Sequence, residues 1–126
     1  MSERLVQNAI IKYICLQYPN AVFRTDKDGQ FAKGSALWDK ARQKGKKGFP
    51  DLIIADKIGV YNGLVIELKK EGISVYRKDG SLRKDDHLQD QSWWLSWFSQ
   101  MGCYTSFAIG FEDAKGIIDN YFNNRL

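Results

Sequence analysis

The sequence predicts an α/β fold in which a mixed β-sheet is flanked by helices. Two apolar runs, within 48–55 and 63–69, have the length of buried strands and are separated by a polar turn that ends in Asn62-Gly63. A third apolar run, 103–109, follows a segment of helical periodicity, and this order predicts a parallel strand reached by a crossover helix. The resulting order is helix, strand, basic segment, two-stranded hairpin, helix, strand, helix.

The composition is that of one globular domain, which we assign to residues 1–126. With 126 residues, of which 44% are hydrophobic and 13% aromatic, the chain can fill one core but not two. Nineteen basic residues against fifteen acidic ones give a formal net charge of +4. This surplus suits a polyanionic partner without identifying one.

The sequence carries no pattern typical of export or of membrane insertion. The first four residues are polar and of mixed charge, and no apolar run approaches the length of a membrane span. Cys15 and Cys103 lie in apolar segments without metal-ligand spacing. We therefore expect two reduced core thiols in a cytoplasmic protein.

The first element is an amphipathic helix that starts after Ser2 and ends before Pro19-Asn20. Ser2 is a favourable N-cap, and Glu3 lies in the first turn, where the helix dipole favours a carboxylate. The apolar side chains recur at helical spacing, at Leu5, Val6, Ala9, Ile10, Tyr13 and Ile14. A short strand over 21–25 and a turn at Asp28-Gly29 are predicted next.

The segment 31–47 has a mixed pattern. Ser35 could cap a helix that carries Leu37 and Trp38, whereas the glycines and the dense basic residues favour a loop. We place Trp38 at the edge of the core rather than against a base. The basic side chains form either a solvated face or a set of phosphate contacts; they are Lys40, Arg42, Lys44, Lys46 and Lys47.

Three charged side chains stand at one end of the predicted hairpin. Asp51 opens its first strand, and Glu67 and Lys69 close its second. Because strand side chains alternate, Glu67 and Lys69 share one face and Leu68 points the other way. Two close carboxylates repel each other unless a proton or a cation intervenes, and oxygen ligands suit Mg²⁺ or Mn²⁺. The pattern predicts a divalent-metal site; its alternative is an ion pair at the strand ends.

A second hairpin is predicted over 75–83, where Asp79-Gly80 stands between alternating residues. It could follow a phosphate backbone or serve as a dimer arm. The basic side chains that it carries or precedes are Arg77, Lys78, Arg83 and Lys84.

The next helix is capped by Asp85-Asp86, runs to Met101 and stops at Gly102. Gln91 lies on its apolar face, which is formed by Leu88, Trp94, Leu95 and Phe98. A buried polar side chain needs a partner, and we expect Gln91 to face Lys69; a backbone partner is the alternative.

Two features of this helix lie off its apolar face. Trp93 and Trp97 are expected to be exposed, as a contact surface or as a wider core face. His87, the single histidine, starts the helix. Nothing in the sequence pairs with His87, so we assign it no catalytic role.

The last two elements are a core strand over 103–109 and a final helix. Gly110 is the turn residue between them, and Glu112-Asp113 opens the helix. The side chains that face inward are Ala114, Ile117, Ile118 and Tyr121.

Pro50-Asp51 followed by Glu67-Leu68-Lys69 resembles the PD-(D/E)xK nuclease motif. Gly48-Phe49 before it, and Leu88-x-x-Gln91-x-x-Trp94-Leu95 with Gly102 after it, resemble the VRR-NUC branch over nearly the whole chain. The resemblance implies a restriction-endonuclease-like core and a metal-dependent DNA endonuclease that acts on branched DNA, such as Holliday junctions, as a homodimer. The standalone form of the family also suggests a phage-encoded protein. The hairpin at 75–83 departs from the simplest members, whose connection is shorter.

The resemblance also implies roles for individual residues. Asp51 and Glu67 would bind Mg²⁺ or Mn²⁺ with the Leu68 carbonyl, Lys69 would position or deprotonate the attacking water, and Gln91 would support them. Glu3 would serve a metal, with Gln7 one turn on as its alternative. The residues expected to bind nucleic acid are Lys44, Lys46, Lys47, Arg77, Lys78, Arg83 and Lys84.

Two other classes of function stay open at the level of sequence. One is a catalytically weak or inactive module that has kept the fold and binds nucleic acid. The other is a structural ion cluster in a protein whose partner is another protein. The intact Asp51, Glu67 and Lys69 favour the nuclease.

Overall fold

The computed structural model describes residues 1–25 and 47–126. The predictions for the turn at 28–29, for a helix after Ser35, for Trp38 and for the basic residues between 40 and 46 lie outside these residues. The elements are α1 (Glu3–Gln17), β1 (Phe23–Thr25), β2 (Leu52–Ile54), β3 (Leu64–Lys69), α2 (Asp86–Gln100), β4 (Tyr104–Ile109) and α3 (Gly110–Phe122).

The four strands form one mixed sheet in the order β1-β2-β3-β4. β2 pairs antiparallel with both β1 and β3, and Leu52 lies opposite Ile66 while Ile54 lies opposite Leu64. β3 and β4 are parallel, because α2 carries the chain back before β4 begins. The predicted α/β class and its mixed sheet are confirmed.

Both faces of the sheet are covered, and β3 is buried along its whole length. Leu64, Ile66 and Leu68 pack in a core with residues of α1 and α3, which include Val6, Ile10, Ile14, Ala114, Ile118 and Tyr121. On the opposite face Val65 packs against Leu88 and Leu95 of α2. Each fully buried side chain of this size contributes about 1.5–3 kcal/mol. Because side chains alternate, Glu67 and Lys69 lie on the face that α2 covers.

The helix ends match the predicted caps. The Ser2 hydroxyl accepts a hydrogen bond from the Leu5 N–H at 3.2 Å, and the Asp85 carboxylate accepts from the N–H groups of His87 and Leu88 at 2.9 and 3.2 Å. Gly102 follows α2 with a φ of +90°, which suits glycine at a helix end. No helix in the described part of the chain is both long and apolar enough to cross a membrane.

Both cysteines are free thiols, but the prediction that both lie in the core is wrong for Cys15, which is exposed. Cys15 directly follows the buried Ile14 in α1, so that the helical rotation turns it toward solvent. Cys103 is half-buried beside the apolar cluster between the sheet and α2.

The predicted hairpin at 75–83 is present as a short ribbon. Tyr76 and Leu82 form an antiparallel bridge, and the Arg77 N–H donates to the Ser81 carbonyl at 2.7 Å. The Arg83 guanidinium donates to the Ser74 carbonyl at 2.8 Å, so this side chain braces the base of the ribbon.

Among the strands of residues 1–25 and 47–126, β4 is the last of the sheet, and one of its sides has no strand partner there. The Tyr104 N–H donates to Gly63 on the inner side, and by alternation the backbone groups of Phe107 and Ile109 face outward. The Phe107 carbonyl accepts from the Ser106 hydroxyl at 2.7 Å, and the Ile109 N–H donates to the Asp113 carboxylate at 2.8 Å. Local side chains therefore satisfy two of the outward backbone groups.

Asp119 of α3 joins the two helices that lie on the same face of the sheet. One of its oxygens accepts hydrogen bonds from the Tyr13 and Tyr18 hydroxyls, each at 2.6 Å, and the other accepts from the Lys115 ammonium at 3.1 Å. Burial alone would raise the pKa of Asp119, but these three donors outweigh burial and lower the pKa.

Asp119→Ala is expected to lower the free energy of unfolding by about 2–3 kcal/mol, because two tyrosine hydroxyls and an ammonium lose a charged acceptor. Since the pKa of Asp119 is lowered in the folded state, its contribution is present above the unfolded pKa of about 3.9 and is lost as the pH falls through the folded pKa. Urea unfolding from pH 7 down to pH 2 measures both effects. Asn120→Ala on the exposed side of α3 is the control, and an equal loss in that variant would contradict the role of Asp119.

Candidate active site

Asp51 is held at the end of the β2–β3 pair. If the strand register is continued by one residue, Asp51 lies opposite Glu67. Its carboxylate accepts a hydrogen bond from the Leu68 N–H at 2.9 Å, and its backbone carbonyl accepts from the Gln7 side chain at 3.4 Å. The sheet fixes Asp51 from one side and α1 fixes it from the other.

Pro50 leaves the Leu68 carbonyl without a backbone donor from β2. The register continued by one further residue sets Pro50 opposite Leu68, whose backbone groups face the β2 side. Proline has no N–H, so it cannot donate to the Leu68 carbonyl. The Leu68 carbonyl therefore keeps its acceptor capacity beside the Asp51 carboxylate.

Glu67 is a buried carboxyl group, 3% exposed, on the face covered by α2. One oxygen accepts a hydrogen bond from the Gln91 amide at 2.6 Å, and the other has no partner among the described residues. Burial first, and then the nearby Asp51 carboxylate, raise the pKa of Glu67 to about 10. A carboxyl group in this position holds a proton unless a cation takes its place.

Gln91 reaches Glu67 rather than Lys69, its predicted partner. Leu88 and Leu95 of α2 pack on Val65. This position of the helix brings Gln91 over Glu67, the next residue of β3 on the same face. Gln91 is 4% exposed, and its carbonyl oxygen has no partner in the described chain.

The prediction that nothing pairs with His87 is wrong, because the His87 Nε2 lies 3.1 Å from the Gln91 amide nitrogen, one helical turn away.

Lys69 is buried, 5% exposed, two residues beyond Glu67 on the same face of β3. Its charge opposes the rise in the pKa of Glu67, so it lies within electrostatic reach of that carboxyl group. The structure thus brings together Asp51, Glu67, Lys69 and Gln91, the four predicted catalytic residues.

Glu3 lies exposed in the first turn of α1, and its charge adds to the rise in the pKa of Glu67, after burial and the Asp51 carboxylate. Within residues 1–25 and 47–126, no three acidic, histidine or cysteine side chains form a group that could hold a metal ion. The residue of α1 that contacts Asp51 is Gln7, which the sequence offered as the alternative to Glu3.

The chemistry of the remaining donors fits a divalent cation. Two carboxylates and a backbone carbonyl are hard oxygen ligands, and Mg²⁺ in proteins commonly has one or two carboxylate ligands and several waters. One Glu67 oxygen has no partner in the described chain, and the pKa of Glu67 is raised. A cation beside Glu67 would contact that oxygen and would lower the pKa.

The basic residues predicted to bind nucleic acid that the structure describes are exposed: Lys47, Arg77, Lys78, Arg83 and Lys84. Arg83 differs from the others because its guanidinium bonds the Ser74 carbonyl. Lys44 and Lys46 lie outside the described residues.

An aromatic cluster, formed by Phe49, Trp94 and Phe98, joins the segment before Asp51 to α2. The ring centres of Phe49 and Trp94 are 4.9 Å apart and those of Phe49 and Phe98 are 6.1 Å apart, both edge to face. Trp93 and Trp97 are 45% and 41% exposed, as predicted. The contact of Phe49 with α2 was not predicted from the sequence, although an apolar side chain just before the motif was a signal.

Gly48 is where this segment approaches α2 most closely. It has a φ of +85°, and a Cβ there would lie 2.9 Å from backbone atoms of Asp90 and Gln91. Only glycine fits both the conformation and the space.

Gly48→Ala is expected to destabilise the protein by more than the roughly 1–3 kcal/mol of an unfavourable φ alone, because α2 must also shift away. Gly72→Ala is the matched control, since Gly72 has a φ of +84° and nothing within 4 Å of its Cβ position. Urea unfolding of both variants gives the difference. Equal losses would show that the approach of Gly48 to α2 is unimportant.

The chain is similar in structure to a solved VRR_NUC domain protein, with a TM-score of 0.67 and 21% sequence identity. The similarity covers 98% of this chain and 89% of that chain. No protein-family model matches the sequence, and no curated protein matches it significantly. The mixed sheet and the helices of the described residues therefore form a VRR-NUC-like fold, as the sequence predicted.

Proposed function

We propose that this chain, with its VRR-NUC-like fold, is a divalent-metal-dependent endonuclease that hydrolyses phosphodiester bonds in DNA. The observation that carries the proposal is the buried Glu67 carboxyl group, held by Gln91, opposite Asp51 and with one oxygen free of partners among the described residues. Most buried polar atoms have a hydrogen-bond partner, so an oxygen without one beside a second carboxylate favours a bound cation over a purely structural carboxyl group.

Asp51, Glu67 and the Leu68 carbonyl would hold Mg²⁺ or Mn²⁺. When bound, the cation supplies a more acidic water and positive charge for the phosphodiester. Lys69 would orient that water or take its proton, and Gln91 would keep the Glu67 carboxylate in place. Glu3, exposed at the start of α1, would serve the substrate side or a second cation.

We further propose that the substrate is branched DNA, such as a Holliday junction, and that the active form is a symmetric homodimer. A two-fold dimer places two sites on opposite strands of a junction, which one domain of this size does not do alone. The exposed Trp93 and Trp97 are candidates for a contact between proteins.

The test is cleavage of a four-way junction, a flap and a linear duplex by the purified chain, in Mg²⁺, in Mn²⁺ and in EDTA. Metal-dependent cuts in the junction, with a dimeric mass in light scattering, are the expected result. Binding without cleavage in either metal would support an inactive nucleic-acid-binding module. Absence of both binding and cleavage would leave the charged cluster with a structural role.

Removing Arg77 or Lys78 by substitution with alanine is expected to weaken binding to every DNA sequence. Each phosphate contact that the substitution removes should lower the slope of log affinity against log salt by about one unit, because fewer counterions are released. Fluorescence anisotropy over a range of salt concentrations measures the slope, with Lys12→Ala on the exposed side of α1 as the control. A slope equal to that of the wild type would make these side chains an ordinary solvated face. The same measurement applies to Lys44, Lys46, Lys47 and Lys84.

A further inference from the structure

His87, Gln91 and Glu67 form a chain of contacts that runs from the surface to the buried carboxyl group. The Gln91 Nε2 lies 2.6 Å from Glu67 Oε1 and 3.1 Å from His87 Nε2. An amide nitrogen carries two hydrogens and is not an acceptor. With the Gln91 amide nitrogen placed between Glu67 and His87, the His87 Nε2 accepts and the ring proton lies on Nδ1.

We propose that His87 is a positioning residue, which accepts the second amide hydrogen of Gln91 and so fixes the rotation of that amide. With the nitrogen held between His87 and Glu67, the Gln91 carbonyl oxygen points to the other side. That oxygen is buried and has no partner among the described residues, so it is an acceptor available inside the site. The importance of this oxygen for cleavage rests on the proposed function, whereas the position of the His87 ring proton does not.

A role in helix capping does not explain the His87 side chain. The start of α2 is capped by the Asp85 carboxylate, which accepts from the backbone N–H groups of His87 and Leu88. The His87 ring is exposed, whereas Gln91 is buried. Loss of the ring therefore removes an orienting contact of Gln91 with little loss of packing.

The ring proton is observed directly by long-range ¹H–¹⁵N NMR of the metal-free protein at about pH 8.5. His87 is the single histidine of the chain, so the spectrum contains one ring. We expect the Nδ1–H tautomer in the wild type and the Nε2–H tautomer, which free imidazole side chains prefer, in Gln91→Leu. A wild-type ring protonated on Nε2, or no change in Gln91→Leu, would overturn the proposal.

A second measurement covers the case in which Gln91→Leu does not fold. His87→Ala changes an exposed residue, and in that variant the Gln91 amide proton that His87 accepts should move upfield, while the proton donated to Glu67 keeps its chemical shift. Unchanged Gln91 amide shifts would also overturn the proposal.

Single-turnover cleavage of a junction tests the consequence for catalysis. His87→Ala should lower the rate about threefold to tenfold, as expected for one hydrogen bond, and His87→Asn, which offers an oxygen acceptor, should recover part of the loss. His87→Ala should add nothing to Gln91→Ala, because both act through the same amide. Gln89→Ala, on the same exposed turn, is the control.

Full additivity of His87→Ala with Gln91→Ala, or an equal loss in Gln89→Ala, would overturn the positioning role. If the wild type cleaves no DNA, the proposed function fails. The NMR result still decides the position of the His87 proton in that case.

Discussion

Asp51→Asn and Glu67→Gln are each expected to lower the single-turnover cleavage rate by at least about a hundredfold, as the loss of a group that stabilises developing charge does. Each variant should also bind Mn²⁺ more weakly in a calorimetric titration, because it removes a charged oxygen ligand at nearly constant shape. The fold should survive in both. The pKa of Glu67 is raised to about 10, so at neutral pH and without metal the carboxyl group is protonated and a glutamine resembles it. In Asp51→Asn, the new side-chain amide would still offer an oxygen to the Leu68 N–H.

The control is Glu112→Gln, which removes an exposed carboxylate from the first turn of α3. Thermal unfolding in EDTA checks that each variant is folded. Glu3→Gln should cost less than either site variant, because Glu3 is exposed and joins no group of three ligands in the described chain. Unchanged Mn²⁺ affinity in both Asp51→Asn and Glu67→Gln would remove the metal assignment.

Lys69→Ala is expected to lower the cleavage rate by about 10²–10⁴-fold if Lys69 transfers a proton, and Lys69→Arg separates its two proposed roles. Arginine keeps the positive charge but does not release a proton near neutral pH. A general base therefore predicts a loss in Lys69→Arg close to that in Lys69→Ala, whereas a residue that only holds the phosphate or the water predicts substantial recovery. Single-turnover cleavage at saturating Mg²⁺ is the measurement.

Gln91→Ala should cost less than Lys69→Ala, because Gln91 carries no charge and acts through Glu67. If the two residues work as one unit, Gln91→Ala should have little effect in the Lys69→Ala background. Full additivity would show that they act separately, and Gln91 would then be an ordinary buried residue of α2.

The parts of the fold that follow from local pattern could be predicted from the sequence. The apolar runs around Ile53 and Ile66 indicated the antiparallel pair, and the helical segment between Glu67 and Cys103 required a parallel return. Ser2, Asp85 and Gly102 marked helix ends because capping depends on a few neighbouring residues. Asp51 and Glu67 came together for a similar reason, since the register of a hairpin follows from its two strands.

The contacts of the site were less predictable where they depend on how a helix lies across the sheet. Gln91 was expected to meet Lys69, but the packing of Leu88 and Leu95 on Val65 brings it to Glu67. His87 lies one helical turn before Gln91, and this spacing is visible in the sequence. The contact becomes an expectation only once Gln91 is known to be buried, because a buried amide needs hydrogen-bond partners. The approach of Gly48 to α2 has no local signal, because it depends on two segments that are distant along the chain.

The outer side of β4 bears on how the protein can assemble. An unpaired strand at the end of a sheet is a template for another chain, and natural proteins commonly block such edges. Here an incoming strand would have to displace the Ser106 hydroxyl from the Phe107 carbonyl and the Asp113 carboxylate from the Ile109 N–H. The β4 edge is therefore protected against pairing with a strand of another chain, and a second copy that met this edge would do so through side chains rather than through a shared strand.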